Sequence, residues 1–220
     1  MSPGGVSERS RVTVVIDAFR AFATACYVLD RQPADYLVTT SSAVAARLAR
    51  EAASPLLVGK PEIGADFTYE IPNSPTRTLE VTVAGRTVIH RTQAGATGVV
   101  YAAKTDLVLA ASLVNAAATA RYLRRLRDYT ITLMPMGHEA VSPTLEDDLC
   151  RTAIASHLQS DPFDLTLSVA ALRDGPGRYF FGDDQWQYPR EDFERCIACD
   201  RFDFAIRAER HGDYARLVRC

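Results

Sequence analysis

The stretch PTLEDDLC, residues 143–150, sets three consecutive carboxylates, Glu146, Asp147 and Asp148, immediately behind the start of a helical pattern. Acids gathered at such a point can hold a hard cation such as Mg2+ through oxygen ligands. They also suit the positive end of a helix dipole with no chemistry involved. Other chemically able residues recur along the chain. Asp17 and Arg20 lie just beyond one apolar run, Arg91 and Thr92 beyond another, and Ser112 and Asn115 beyond a third. Arginine's planar fork matches phosphate or sulfonate oxygens and acids match a metal, so the inventory fits a site that takes an anion and a cation together. Each residue has a plain structural use as well, Asp17 as a helix N-cap and Arg20 in a surface ion pair.

For these groups to meet, strands must end and helices begin beside them. Residues 12–16 form a continuous apolar run of buried-strand type that stops at Asp17, and helical spacing follows over 18–29. A strand over 36–40 leads to a helix over 43–51, and 55–58 reads as a third strand. The text GKPEIGADFTYEIPNSP, 59–75, has no sustained period and many turn formers, which predicts a long functional loop. Runs at 79–83 and 86–90 flank Ala84-Gly85 as a hairpin. Residues 88–92 run into the small-residue stretch QAGATG, 107–111 leads to a helix over 115–127, and 130–134 precedes the polar run MGHEAVSPT. The acidic helix then presents Leu149, Ala153, Ile154 and Leu158 on one face. Beyond Gln159, DGPGRYFFGDDQW reads as a loop, with helices over 190–199 and 214–218.

Alternation of β-branched runs with alanine-rich helical patterns predicts an α/β fold: a layered, mostly parallel or mixed sheet flanked by helices, with a small C-terminal lobe. The expected division is a flexible N-terminus over 1–11, a core over 12–160 and a lobe over 161–220 packed on that core. In open α/β sheets ligands sit outside the carboxyl ends of the strands, where Asp17, Arg91, Ser112 and the acidic cluster would stand.

A formal charge of −2 and a pI near 6.1 argue against a dedicated nucleic-acid binder, and Arg121, Arg124, Arg125 and Arg127 read as a solvated helix face. No apolar run approaches the roughly 20 residues of a membrane span. The opening MSPGGVSERS lacks a signal-peptide layout, so the expectation is a cytoplasmic protein. Five scattered cysteines fit reduced thiols, and the lone pair Cys196 and Cys199 reads as two half-buried cysteines rather than a zinc site.

Four segments in a fixed order carry a likeness to a known family: VVIDAFRAFATA (14–25), IPNSP (71–75), AASLVNAAATA (110–120) and PTLEDDLC. Over roughly 12–158 the chain resembles the magnesium-dependent 2-phosphosulfolactate phosphatases of coenzyme M biosynthesis and their bacterial relatives, and the stretch REDFERCIACD is compatible with that family's ending. The resemblance implies hydrolysis of a phosphate monoester, with Mg2+ as cofactor and a small phosphorylated anion as substrate. From charge and hydropathy no nucleic acid and no membrane is expected as partner, and a homodimer is allowed. Asp17, Arg20 and Glu146 would be catalytic, and the cation would lie on Asp17 and on Glu146 or Asp147. Asn73, Ser74, Arg91, Thr92 and Asn115 would hold the substrate. Asp17 could instead be a nucleophile that forms an acyl phosphate, although Phe19 stands where an Asp-x-Asp pair would supply the second acid. His90 and His138 are candidate proton donors to the leaving oxygen.

The chain departs from the family at two places. Gly59-Lys60-Pro61-Glu62 replaces Gly-Glu-Arg-Gly, and Arg91-Thr92-Gln93-Ala94-Gly95-Ala96 replaces Thr-Thr-Asn-Gly-Thr. Glu62 could take over the missing acid's place and Arg91 could add an anion contact, so an altered substrate is expected. Two rival readings stand beside the phosphatase. One is a catalytically lapsed homologue that binds small anions or regulates. The other is a recruited enzyme of a specialised pathway, with GRYFFGDDQWQY, 177–188, as a new pocket wall.

Overall fold

The computed structural model describes residues 10–59, 68–102 and 105–220; Lys60 and Glu62 lie outside the described residues. Eight strands form one mixed sheet. They are β1 (Ser10–Ile16), β2 (Asp35–Thr39), β3 (Pro55–Val58), β4 (Thr87–Arg91), β5 (Leu107–Ala111), β6 (Tyr129–Pro135), β7 (Ile206–Arg210) and β8 (Ala215–Arg219), in the order β3-β4-β2-β8-β7-β5-β1-β6. The helices are α1 (Ala21–Leu29), α2 (Ser42–Glu51), α3 (Pro75–Leu79), α4 (Ala94–Tyr101), α5 (Ala116–Arg125), α6 (Leu145–Gln159), α7 (Val169–Asp174) and α8 (Arg190–Ile197). The fold is α/β, with parallel pairings between β3 and β4, β4 and β2, β5 and β1, and β1 and β6.

β1 shows why its run is apolar without alternation. Val12, Val14 and Ile16 enter one core with α5, α6 and the aromatic turn near Phe180, while Val15 enters the other with α1 and α4. A strand covered by helices on both faces buries every side chain. β7 and β8 follow the opposite rule. Ile206, Ala208, Ala215 and Leu217 are buried, whereas Arg207 and Arg216 between them are exposed. That alternation belongs to a strand solvated on one face.

Three sequence expectations are corrected. Residues 214–218 are not a helix: apolar side chains at alternate positions, Ala215 and Leu217, pair β8 with β2 on one side and β7 on the other. Residues 79–83 and 86–90 do not form a hairpin. The first segment continues from α3 into a turn, and β4 instead joins β2 and β3 in parallel, because Val88 and Ile89 are wanted in the core between them. The segment 161–220, expected as a lobe packed on the core, divides in two. Its part through Ile197 packs against α3 and the 3-10 turn Leu113–Asn115 and shares a core cluster with α6, while β7 and β8 enter the sheet itself.

β7 and β8 also change the geometry expected of the site. Three antiparallel pairings separate β2 from β5, so the parallel blocks β3-β4-β2 and β5-β1-β6 run in opposite senses. Even so, the chain that leaves β4 meets the chain that leaves β1, where Gly95 N donates to Asp17 Oδ2 at 2.8 Å. α4 makes the connection, leaving β4 and crossing to contact β1, β5, β7 and β8. Its glycines allow this approach. A Cβ on Gly98 would stand 2.3 Å from Val15 Cγ1 and 2.7 Å from Met136 Sδ, and one on Gly95 would stand 2.9 Å from Asp17 Oδ2.

Candidate active site

A cleft of about 700 Å³ opens where α4 reaches the end of β1. Its volume is that of a small-molecule site. Asp17 lies one residue beyond β1 and is buried; its Oδ1 accepts from Ala21 N at 3.1 Å and its Oδ2 from Gly95 N at 2.8 Å. Asp147, in the first turn of α6, is held in the same manner, Oδ1 by Ala18 N at 2.7 Å and Oδ2 by Gly137 N at 2.8 Å. The parallel pairing of β1 with β6 sets the two strand ends side by side, so Asp147 is held by amides that follow both strands, while Asp17 is held by the start of α1 and by the start of α4. Glu146 completes the acidic wall, and Asp148 does not join it, pairing instead with Arg151 at 3.3 Å on the surface.

Crowding three buried carboxylates raises their affinity for protons. Burial first, then the charge of Asp147, pushes Glu146 up to about 7. Burial raises Asp17 and Asp147, and each is raised further by a neighbouring carboxylate, Glu146 for Asp17 and Asp17 for Asp147. The Thr144 hydroxyl lies near enough to offset part of the shift on Glu146. Even so, Glu146 Oε2, Thr144 Oγ1 and Asn73 Oδ1 have no partner in hydrogen-bond geometry among the described residues.

The opposite wall comes from α8 and the chain before it. Arg20 Nη1 donates to Asp192 Oδ2 at 2.6 Å and to the Gln187 carbonyl at 2.8 Å, and its guanidinium lies over the Tyr188 ring at 4.8 Å from the centroid. Asp192 is fully buried and gathers two further donors, Ser74 Oγ at 2.9 Å and Thr76 N at 2.8 Å. Ser74 caps α3 and Pro75 occupies its first turn, so the Asn-Ser-Pro string is a helix start that α8 grips from behind. Phe19 meets Phe180 edge to face at 5.3 Å, locking the turn after β1 onto the aromatic segment.

Among the sequence candidates, Asp17, Arg20, Asn73, Thr92, Glu146 and Asp147 line the cleft. Ser74, Arg91 and Asn115 do not. Ser74 is buried behind Asn73, Arg91 Nε donates to the Thr40 carbonyl at 3.2 Å, and Asn115 Oδ1 accepts from Ser112 N at 2.9 Å. His138 lines the cleft, but His90 is buried beside Tyr36, with Nδ1 at 2.6 Å from the hydroxyl, and burial pushes it down to about 3. Arg178, Tyr179 and Tyr188, which also line the cleft, fall in the segment 177–188 that the sequence offered as a new pocket wall, although none was singled out; Asp192 was missed. For Asp192 the only signal was an acid in the first turn of an acidic helix, which by itself says nothing of partners 118 and 172 residues away.

Among the described residues no three His, Cys, Asp or Glu side chains already form a metal-holding cluster, and Cys196 and Cys199 are free thiols, one buried and one half-buried. The cleft nevertheless fits Mg2+. Its unpartnered atoms are all oxygens, from Glu146, Thr144 and Asn73, next to carboxylates whose repulsion a cation would relieve. Mg2+ characteristically takes one or two carboxylates with water and substrate phosphate rather than an all-protein cage.

Comparison with known proteins gives a consistent result. Residues 3–175 match the family described as 2-phosphosulpholactate phosphatase. A probable 2-phosphosulfolactate phosphatase of Symbiobacterium thermophilum is 33% identical over 150 residues, 67% of this chain and 64% of that protein. One from Deinococcus radiodurans is 30% identical over 148 residues, 67% of this chain and 61% of its own length. Another from Parasynechococcus marenigrum is 27% identical over 209 residues, 94% of this chain and 82% of its own. The chain thus spans less than two thirds of the length of the first two relatives. No helix among the described residues is long and apolar enough to cross a membrane.

Proposed function

Because the chain belongs to the 2-phosphosulpholactate phosphatase family, we propose that it is a Mg2+-dependent phosphatase of a small phosphorylated acid of the 2-phosphosulfolactate type. The observation that carries this reading is one cleft holding Asp17, Glu146 and Asp147 opposite Arg20. Glu146, Asp17 and Asp147 would hold the cation, with the oxygens of Asn73 and Thr144 nearby. When bound, Mg2+ supplies charge for the phosphoryl oxygens and acidifies a water. Hydrolysis forms one bond from a water oxygen to phosphorus, breaks the ester P–O bond and delivers a proton to the leaving oxygen.

This chain's residues suit those needs. Arg20, fixed by Asp192 and Tyr188, meets the phosphate without reorganising, which is the condition for strong electrostatic stabilisation. Asp17 accepts a backbone N–H on each oxygen, which spreads its charge and favours a ligand's role over a nucleophile's. Of the two histidines, His138 is the one able to protonate the leaving oxygen. The altered strings at 59–62 and 91–96 support a substrate that differs from the family's usual one.

The test is phosphate release from a panel of small phosphorylated acids and sugars, 2-phosphosulfolactate among them, with and without Mg2+. Metal-dependent release is expected. Absence of release from every compound with every divalent metal, while the same ligands raise the melting temperature, would replace the enzyme by an anion-binding protein on this fold.

A further inference from the structure

The two arginines of the cleft differ in their commitments. The Arg20 charge is met by Asp192 and its guanidinium is stacked in place. Arg178 lines the same cleft, is exposed, and its guanidinium makes no hydrogen bond, ion pair or ring contact among the described residues. The backbone beneath it is firmly held. Gly177 N donates to the Leu172 carbonyl at 2.7 Å, Arg178 N donates to the Gly175 carbonyl at 3.2 Å, and the neighbouring Phe180 is fully buried. Gly177 fits there because a Cβ would stand 2.8 Å from both that carbonyl and the Phe193 ring. A fixed turn thus carries an unpaired cation over a cleft whose other wall has Asp17, Glu146 and Asp147.

Charge decides what such a residue can do. Three carboxylates line this cleft, so the second anionic group of a substrate is repelled from the side that holds them. The second must lie against an uncommitted cation. We propose that Arg178 is the specificity-determining residue of this site, binding the non-transferred carboxylate or sulfonate of a substrate whose phosphate ester lies at Asp17 and Glu146. The assignment rests on the phosphatase reading and deepens it by naming the residue that makes phosphate monoesters with a second fixed anion preferred to esters of neutral alcohols. Arginine's fork can meet two oxygens of either group.

The experiment compares 2-phospholactate and 2-phosphosulfolactate with isopropyl phosphate, which keeps the secondary phosphate ester and lacks the second anion. With Mg2+ present, the wild-type protein should prefer the first two. Arg178→Gln should lower that preference about tenfold, through KM, as loss of one charge-assisted pair would, and Arg178→Lys should restore part of it. Equal loss on charged and uncharged esters, or no loss on any, overturns the assignment. The retained anion is identified by whether both compounds sense the change, as a carboxylate contact requires, or only 2-phosphosulfolactate does, as a sulfonate contact requires. Calorimetric binding of 2-phospholactate and isopropyl phosphate separates this inference from the one beneath it. Absence of phosphate release overturns the phosphatase reading, and the binding preference must still fall about tenfold in Arg178→Gln; a preference equal in both proteins, or absent from the wild type, overturns Arg178.

Discussion

On the wall formed by the ends of β1 and β6, backbone amides hold the carboxylates; on the wall formed by α8 and the aromatic turn, one buried carboxylate, Asp192, gathers the other groups. Asp17 and Asp147 each take two N–H groups from chain that the sheet has already fixed. Arg20, Ser74 and Thr76 depend on one another through the single carboxylate of Asp192. The first wall should therefore tolerate changes in its chemistry without loss of shape. The second should lose shape and chemistry together.

The largest effect expected tests the first wall. Glu146→Gln and Asp17→Asn should each lower Mg2+-dependent turnover by about a thousandfold or more, the scale of losing one main electrostatic contact at a reacting centre. Glu146→Gln should keep stability and raise the melting temperature of metal-free protein, because it removes a charge from a crowded buried group, whereas Asp17→Asn turns an amide NH2 toward one of the two backbone N–H groups and should cost about 1–3 kcal/mol. Normal activity in both variants would remove the site.

Asp192→Ala tests the second wall. It leaves Arg20 buried without its ion-pair partner, which costs about 3–5 kcal/mol, and it frees Ser74 and Thr76 at the same time. Denaturant unfolding should show that loss together with a collapse of kcat. Unchanged stability would break the distinction between the walls.

Gly98→Ala probes the helix that joins the two blocks of the sheet. The new methyl group would overlap Val15 and Met136, costing about 1–3 kcal/mol by overpacking. A smaller effect, about 1 kcal/mol, is expected from Asn115→Ala, which removes the acceptor for Ser112 N outside the cleft. Its KM for substrate should match the wild-type value.

The pH dependence of metal-free protein sharpens the same contrast. Glu146 is raised from 4.5 to about 7 in the folded state. Between those values the folded protein binds more protons than the unfolded chain, so stability falls as pH rises through the window. Melting curves from pH 4.5 to 7 should show the decline, Glu146→Gln should lessen it while the raised Asp17 and Asp147 keep the remainder, and Mg2+ should recover stability at the upper end.

How well each wall could be read from sequence follows from how local its contacts are. β1, α1, β2, α2, β3 and α6 announce themselves through apolar periodicity and breaks in it, and Asp17, Glu146 and Asp147 sit where those patterns change. Asp192 gave no such sign, because its meaning lies in partners more than a hundred residues distant. β8 was misread for a related reason. ARLVR is only five residues long, and its alternation of buried and exposed positions acquires force only with β2 and β7 on either side. The opposed senses of the two parallel blocks were likewise invisible, since each βα unit looks the same whichever way it points.

The placement of β7 and β8 has a consequence for how the protein is made. On the ribosome, residues 206–219 emerge after both blocks they join, so β2 and β5 are each synthesised with an edge that waits for a partner. Until that hairpin arrives the nascent chain holds two half-sheets with unpaired backbone, the kind of species that aggregates or recruits chaperones. A pause in translation before residue 206 would lengthen the vulnerable interval, whereas closure of the hairpin between the waiting edges would end it in one step.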